Sequence, residues 1–387
     1  MILLLFTKSV DIMKFVFSFS FFLLIIAETY SQSSNDILNL LIMNKSISQQ
    51  QADSLRAEAA IKQQETDANK KTFLVSAARP ISISGYTQVR YQVIDEKGKK
   101  DGFDIRRARI DLNGNFTPYL SYRLMADFAA SPKLLDAYAE IKLNDYFNIT
   151  LGQFRVPFSI ENLTPIRTYD LIDFSQVVDA LVFRSKDVIG NQNGRDIGIQ
   201  LGGVLIKSGT KKLVEYRIGV FNGSGINIAD TANKAKDIAV RLVINPVKGL
   251  SFGASYYNGW GKAIKPSAIF IGRSQAHNRF GVEASYSANR FGFRGEYIQG
   301  VDGQTDKAGW YLLAEYYIIP QKLQFVCKYD TYDPDKSKPD NINTNYVGGF
   351  NYNFNQWSRI QAFYTIRQEE GPSVNNNFLS VQYQIGF

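Results

Sequence analysis

The chain has 387 residues, a net charge of +8, 13% aromatic and 21% charged residues, and a mean hydropathy of −0.19. Beyond the N-terminus no run of eighteen apolar residues occurs, which excludes a membrane protein built from helices. A single cysteine, Cys327, and a single histidine, His277, exclude an intrachain disulfide framework and the usual Cys/His zinc site, and no cofactor is expected.

Phe15 to Ala27 reads FVFSFSFFLLIIA, preceded by Lys14 and followed by Thr29-Tyr30-Ser31, with small residues at −3 and −1 of a cut before Gln32. This predicts a secretory signal peptide over residues 1–31, starting at Met1 or Met13. Residues 32–79 form a different segment. Ile37, Leu38, Leu40, Leu41 and Ile42 make a short apolar helix face, Ser48 and Gln51 resemble a capping box, and Ala52, Leu55 and Ala59 recur at helical spacing. The expectation is a short helical segment and linker on the periplasmic side, either a polar spacer or a coiled coil beneath an oligomer.

From Ile81 the hydrophobic period changes to two. Sixteen strands are predicted, at 81–93, 103–116, 119–130, 134–143, 147–155, 196–206, 213–222, 236–245, 250–260, 278–287, 291–301, 308–319, 322–331, 344–354, 357–367 and 376–387. In the second, Ala108, Ile110, Leu112 and Phe116 oppose Arg107, Arg109, Asp111 and Asn113; in the last, Leu379, Val381, Tyr383, Ile385 and Phe387 oppose Gln382 and Gln384. A soluble sandwich also alternates. Three features favour a sixteen-stranded antiparallel transmembrane β-barrel over residues 80–387. Tight joints alternate with long ones, as periplasmic turns do with outer loops. Aromatics such as Tyr119, Tyr146, Phe147, Trp260, Trp310, Phe354 and Trp357 gather near strand ends, as in interfacial girdles. The polar face carries more charge than a sandwich core could bury, while a wide barrel leaves it in water. His277 falls in the loop-like run SQAHNR and reads as a solvated histidine, and Cys327 as a small apolar residue on a strand face.

Residues 156–195 interrupt the array with a long loop between the fifth and sixth strands, the third outer loop of the count. Such loops are uncommon and usually functional, and the expectation is that this one folds into the lumen and narrows it. Its basic residues are Arg167, Arg184, Lys186 and Arg195 and its acidic ones Glu161, Asp170, Asp173, Asp179 and Asp187, a sum of −1. On the polar strand faces basic residues exceed acidic ones, most clearly on the first three strands. Guanidinium groups donate bidentately to phosphate and carboxylate. Arg107, Arg109 and Arg123 on the wall, with Arg167, Arg184 and Lys186 on the loop, are therefore the candidates for contact with a passing anion.

The run GQFRVPFSIENL (Gly152–Leu163) resembles the phosphate-selective porin O and P family, and NGRDIGIQLGG (Asn193–Gly203) resembles its return strand. The terminal YQIGF, ending at Phe387, resembles the signal read by the barrel assembly machinery. The resemblance implies an outer-membrane homotrimer of sixteen-stranded porins with the third loop folded inward. The expected function is passive diffusion of small hydrophilic solutes, with a preference for anions and phosphate or polyphosphate among them. The alternative is a plugged structural or adhesive barrel without transport. No Ser-His-Asp/Asn set is visible, so an enzyme is not expected, and the signal peptide and strand pattern speak against nucleic acid as a partner.

Overall fold

The computed structural model describes residues 42–44, 51, 81–96, 98, 101–183, 194–228, 235–262, 274–372 and 374–387. The chain divides into two units, Met1–Lys71 and Thr72–Phe387. Of the first, Ile42, Met43 and Gln51 are helical; the predicted signal peptide and the rest of the helical segment lie outside the described residues.

The second unit is one closed antiparallel sheet. Its strands are β1 (Ile81–Ile94), β2 (Gly102–Thr117), β3 (Leu120–Asp127), β4 (Lys133–Lys142), β5 (Asn148–Arg155), β6 (Arg195–Ser208), β7 (Lys211–Phe221), β8 (Asp237–Val247) and β9 (Leu250–Asn258). They continue as β10 (Trp260–Lys262), β11 (Ser274–Ala288), β12 (Phe291–Asp302), β13 (Thr305–Ile319), β14 (Leu323–Asp333), β15 (Asn343–Asn353), β16 (Ser358–Glu369) and β17 (Phe378–Gly386). β10 prolongs β9 past Gly259 and pairs with the same neighbour, β11, so the barrel wall has sixteen staves. β1 pairs with β17 from Tyr86↔Gly386 to Ile94↔Phe378 and closes the sheet. Closure leaves no edge of unpaired backbone, which hydrocarbon would not tolerate.

Period-two alternation sorts the side chains. Ile110, Leu124, Ile218, Phe252, Leu312, Ile360 and Tyr383 are exposed on the outer surface, whereas Gln88, Arg107, Asp127, Gln361 and Gln384 are buried on the inner one. Glycines let neighbouring groups approach where the wall is tight. A Cβ on Gly85 would lie 2.6 Å from both the Arg109 carbonyl oxygen and the Phe387 ring. Gly85 and Phe387 exchange two backbone hydrogen bonds, 3.2 and 3.0 Å, at the foot of the seam.

Three local features depart from the sequence expectation. Between Gln88↔Arg107 and Val89↔Ile105 the β1–β2 register slips by one residue. This β-bulge leaves Phe103 and Ile105 outside, yet puts both Arg106 and Arg107 on the inner face. His277 is not a solvated loop residue: β11 begins at Ser274, and His277 is fully buried with Nδ1 2.8 Å from Asp302. Trp357 is not part of an outer girdle. It shares the inward parity of Arg359 and Gln361, and the Arg167 guanidinium lies over its ring at 4.8 Å.

Candidate pore constriction

The segment after β5 folds into the barrel. It contains helix α1 (Ile160–Leu163), a 3-10 turn at Ile166–Thr168, and helix α2 (Gln176–Val178) that widens into a π-turn at Asp179–Phe183. Its apolar side chains drive it inward. Val156, Phe158, Leu171, Ile172, Val177, Val178, Ala180, Leu181 and Val182 form one buried cluster with inward residues of the wall from β7 to β16, including Phe221, Tyr257, Ile298, Tyr311, Leu313, Val326 and Phe363. Val177, Val178 and Leu181 are at most 1% exposed; burying each such side chain contributes roughly 1.5–3 kcal/mol.

The base of the loop is built by the run Gly152–Leu163. Gly152 adopts φ 126°, and its α-carbon lies against β4 backbone where no Cβ would fit. Arg155 donates to the carbonyl oxygens of Asn162 and Thr164, satisfying carbonyls that the short helix α1 leaves without an intrahelical donor. Ser159 caps α1, accepting from the Asn162 amide at 3.2 Å and donating to Glu296 at 3.1 Å. Asn162 Nδ2 reaches the carbonyls of Val156, Phe158 and Gly194 at 3.1, 3.2 and 3.3 Å, so one side chain ties the outgoing and returning limbs together.

Farther along, carboxylates fasten the loop to the wall. Glu161 is fully buried and accepts from Tyr169 Oη and from the Ser175 amide and hydroxyl. Burial, reinforced by the Glu161 carboxylate, pushes the Tyr169 phenol well above its ordinary value, so it stays a donor. Asp170 meets Arg294 at 3.3 Å and its carbonyl accepts from Asn351 and Gln361. Behind Asp170 an amide relay runs Gln382→Gln361→Asn351→Gln324, each step 2.8–2.9 Å. Asp173 lies 2.6 Å from Arg106 and 3.7 Å from Arg90. Burial alone would raise the Asp173 carboxyl, but Arg106 and then Arg90 outweigh it and hold it below its ordinary value. The amide and side chain of Gln176 are held by Asp330 and the Asn343 carbonyl, and Arg279 donates to the Leu181 carbonyl at 2.9 Å.

Two of the cavities bordering the loop lie on opposite sides of it. One, of about 300 Å³, opens toward the long-loop end and includes Arg90, Arg106, Asp173, Lys328 and Arg367 in its lining. The other, of about 410 Å³, opens toward the short-turn end and includes Arg123, Glu140, Arg155, Gln200 and Arg217.

The candidate cations fall into two groups. Arg109 is paired with Asp127 at 2.8 Å, and Arg123 is bidentate with Asp111 at 2.9 and 2.8 Å. Each is neutralised locally. Arg107 instead donates to Gln88 Oε1 at 2.8 Å, Gln88 donates to Gln384 at 2.7 Å, and Arg359 donates to the same Gln384 oxygen at 3.2 Å. Gln384 in turn donates to the Arg167 carbonyl at 3.2 Å. The Arg107 and Arg359 guanidiniums thus meet around two neutral glutamines, with the Arg167 backbone held beside them and its guanidinium over Trp357, and among the described residues none of the three has a carboxylate within ion-pair distance. Arg106 and Gln88 were not anticipated from the sequence, whereas Arg359 and Gln384 fall on the polar inner face expected of their strands without being among the six candidates. Arg184 and Lys186 lie outside the described residues.

The family model for phosphate-selective porin O and P matches residues 83–385. Among solved structures, the outer membrane channel DcaP of Acinetobacter baumannii superposes with a TM-score of 0.60 at 14% identity, covering 82% of this chain and 99% of that one. The anion-selective porin from Comamonas acidovorans gives 0.61 at 14%, covering 80% and 100%. Salmonella typhi OmpF, solved with daunomycin, gives 0.62 at 14%, covering 81% and 99%. No curated protein sequence matches the chain. These structures share the fold, and the family match extends over nearly the whole barrel: the chain belongs to the phosphate-selective porin O and P family and is an outer-membrane channel.

Proposed function

We propose that this porin passes small hydrophilic solutes by passive diffusion and prefers anions, phosphate and polyphosphate among them. The observation that carries this reading is the row Arg107–Gln88–Gln384–Arg359, with Arg167 held beside it. Neutral amides separate these guanidiniums, so their charge is not cancelled at the wall as that of Arg109 and Arg123 is. Arg107 and Arg359 are themselves buried in the wall, so they act on an anion in the lumen through their positive field rather than by direct contact. Arg109 and Arg123, with their aspartates, contribute donors more than field, and Arg184 and Lys186 remain candidates for the loop. The family description and the anion-selective porin of similar fold lend this reading support.

The test is the reversal potential of single channels in chloride and phosphate gradients. The variant R107E/R167E should lower the anion/cation permeability ratio, as should R107E/R109E; an unchanged reversal potential would remove these residues from the filter. Deleting the middle of the inward loop should raise conductance.

The apolar core of the loop favours a second reading, a plugged structural barrel without transport. Absence of discrete channels in planar bilayers, from folded protein, would select it. We further propose a homotrimer, the form recorded for the outer membrane protein OmpT of Vibrio cholerae, with residues 32–79 on the periplasmic side and Phe387 read by the assembly machinery. Native mass spectrometry tests the trimer.

A further inference from the structure

In barrels of this kind the short turns face the periplasm. Four successive short turns, those joining β6–β7, β8–β9, β11–β12 and β13–β14, each carry an exposed cation in the turn or at its edge: Lys211, which opens β7, Lys248, Arg290 and Lys322. Among the described residues none of the four has a carboxylate partner; Arg290 reaches only the Ile318 carbonyl, at 3.4 Å. The remaining short turns differ. The β2–β3 and β15–β16 turns carry no charge, and Asp145 in the β4–β5 turn is held between Lys142 and Lys207, which depress its carboxyl to about 2 through the Lys207 bond first. The cations therefore form an arc along one side of the rim rather than a ring.

The arc lies at the lip of the lipid-facing surface. Val247, Phe291 and Ile319, next to the three later turns, are exposed on that surface, which also carries two close ring pairs, Phe291–Tyr316 and Tyr352–Phe354, whose centroids are 4.7 and 5.0 Å apart. Successive turns stand two strands apart, about 10 Å along the rim. Lysine and arginine stems lie along apolar wall while their heads reach the headgroup level. Cations lying just beyond an apolar band and beside interfacial aromatics suit the phosphates of an anionic lipid whose acyl chains cover that band.

We propose that the arc Lys211, Lys248, Arg290 and Lys322 binds anionic phospholipid headgroups of the periplasmic leaflet, holding a lipid belt on this side of the barrel. The full chain is reconstituted into discs of phosphatidylethanolamine with roughly one-tenth phosphatidylglycerol, extracted gently, and its retained lipids are counted by mass spectrometry. Phosphatidylglycerol should be enriched several-fold over the disc composition. The variant K211Q/K248Q/R290Q/K322Q should return the ratio to that of the bulk, while the charge-retaining K211R/K248R/R290K/K322R keeps it. Heat-modified gel mobility checks that each variant is folded. A control that removes exposed cations at the opposite end, K133Q/K336Q/K338Q, should leave enrichment unchanged. Equal enrichment in the wild type and the four-Gln variant overturns the proposal. So does an equal loss in the control, which would assign the effect to overall charge. Enrichment erased by inorganic phosphate at constant ionic strength would make the arc a site for soluble anions and would also overturn it. Channel selectivity does not enter any of these readouts, so they stand apart from the anion preference proposed above.

Discussion

Arg106, placed inside the barrel by a one-residue bulge, holds Asp173 of the inward loop at 2.6 Å. The pair joins the wall at β2 to the tip of the loop, and Arg90 shares the same carboxylate at 3.7 Å. Removing the carboxylate alone, in Asp173→Asn, frees the Arg106 guanidinium beside the outer chamber, while Arg90 stays bidentate with Asp104 at 3.0 and 2.6 Å. A unit charge about 6 Å from the path in water is worth about 0.7 kcal/mol, or roughly threefold in a permeability ratio. The reversal potential of D173N should shift toward anions by about that factor, and an unchanged value would mean that solutes pass elsewhere.

The loop base makes a different demand. Asn162 gives its amide hydrogens to three carbonyls in a fully buried site. Asn162→Asp turns that donor into a third set of acceptors. Unsatisfied buried groups cost roughly 1–3 kcal/mol each, so the variant should unfold at lower urea and show noisy, larger currents. Normal stability with a steady current would place the anchoring elsewhere.

The seam is tested at Gly85. An added methyl would sit 2.6 Å from the Arg109 carbonyl oxygen and from the Phe387 ring. Because one of these atoms is backbone, Gly85→Ala cannot be absorbed by a side-chain rotation, and overpacking of this kind costs about 1–3 kcal/mol. The folded fraction by heat-modified mobility should fall, and Phe387→Ala in the same chain should restore it only in part.

Acid should release the loop late. The Asp173 carboxyl is held below its ordinary value by Arg106 and Arg90 against the opposing effect of burial. A depressed carboxylate contributes its stabilisation above its unfolded value, about 3.9, and loses it only as pH falls through the lower folded value. Conductance and current noise should therefore stay level from neutral pH down to about 4 and change below it. In D173N that acid transition should vanish, and a transition near neutrality that survives in D173N would point to another group.

The strand array was legible because lipid and water impose opposite demands on alternate residues, and Ile110/Arg109 or Tyr383/Gln384 state both at once. The position of the long loop followed from the count. Arg106 was missed through its phase: the outward residues are odd-numbered at Phe103 and Ile105 and even-numbered at Ala108 and Ile110, and only that slip marks the bulge. The docking wall was missed for a related reason. Tyr311-Leu312-Leu313 is apolar on both faces, a continuous run where β2 and β3 alternate, and an inner face that is apolar signals something seated on it. Gln88 and Gln384 carry no charge, so the polar face to which Gln384 was assigned gave no sign that the two set the spacing of Arg107 and Arg359.

The partners of the loop have a consequence for how the chain is made. The loop follows β5, yet it is seated on β11 to β17 and reaches back to β1 and β2. When residues 156–183 emerge, more than half of the surface that will receive them has not been synthesised. Val177, Val178, Leu181 and their neighbours must then cross the periplasm uncovered, as an adhesive stretch of the kind that holdase chaperones shield. Once the last strand is in place, the same segment touches both ends of the sheet and sews the first and final staves together from within.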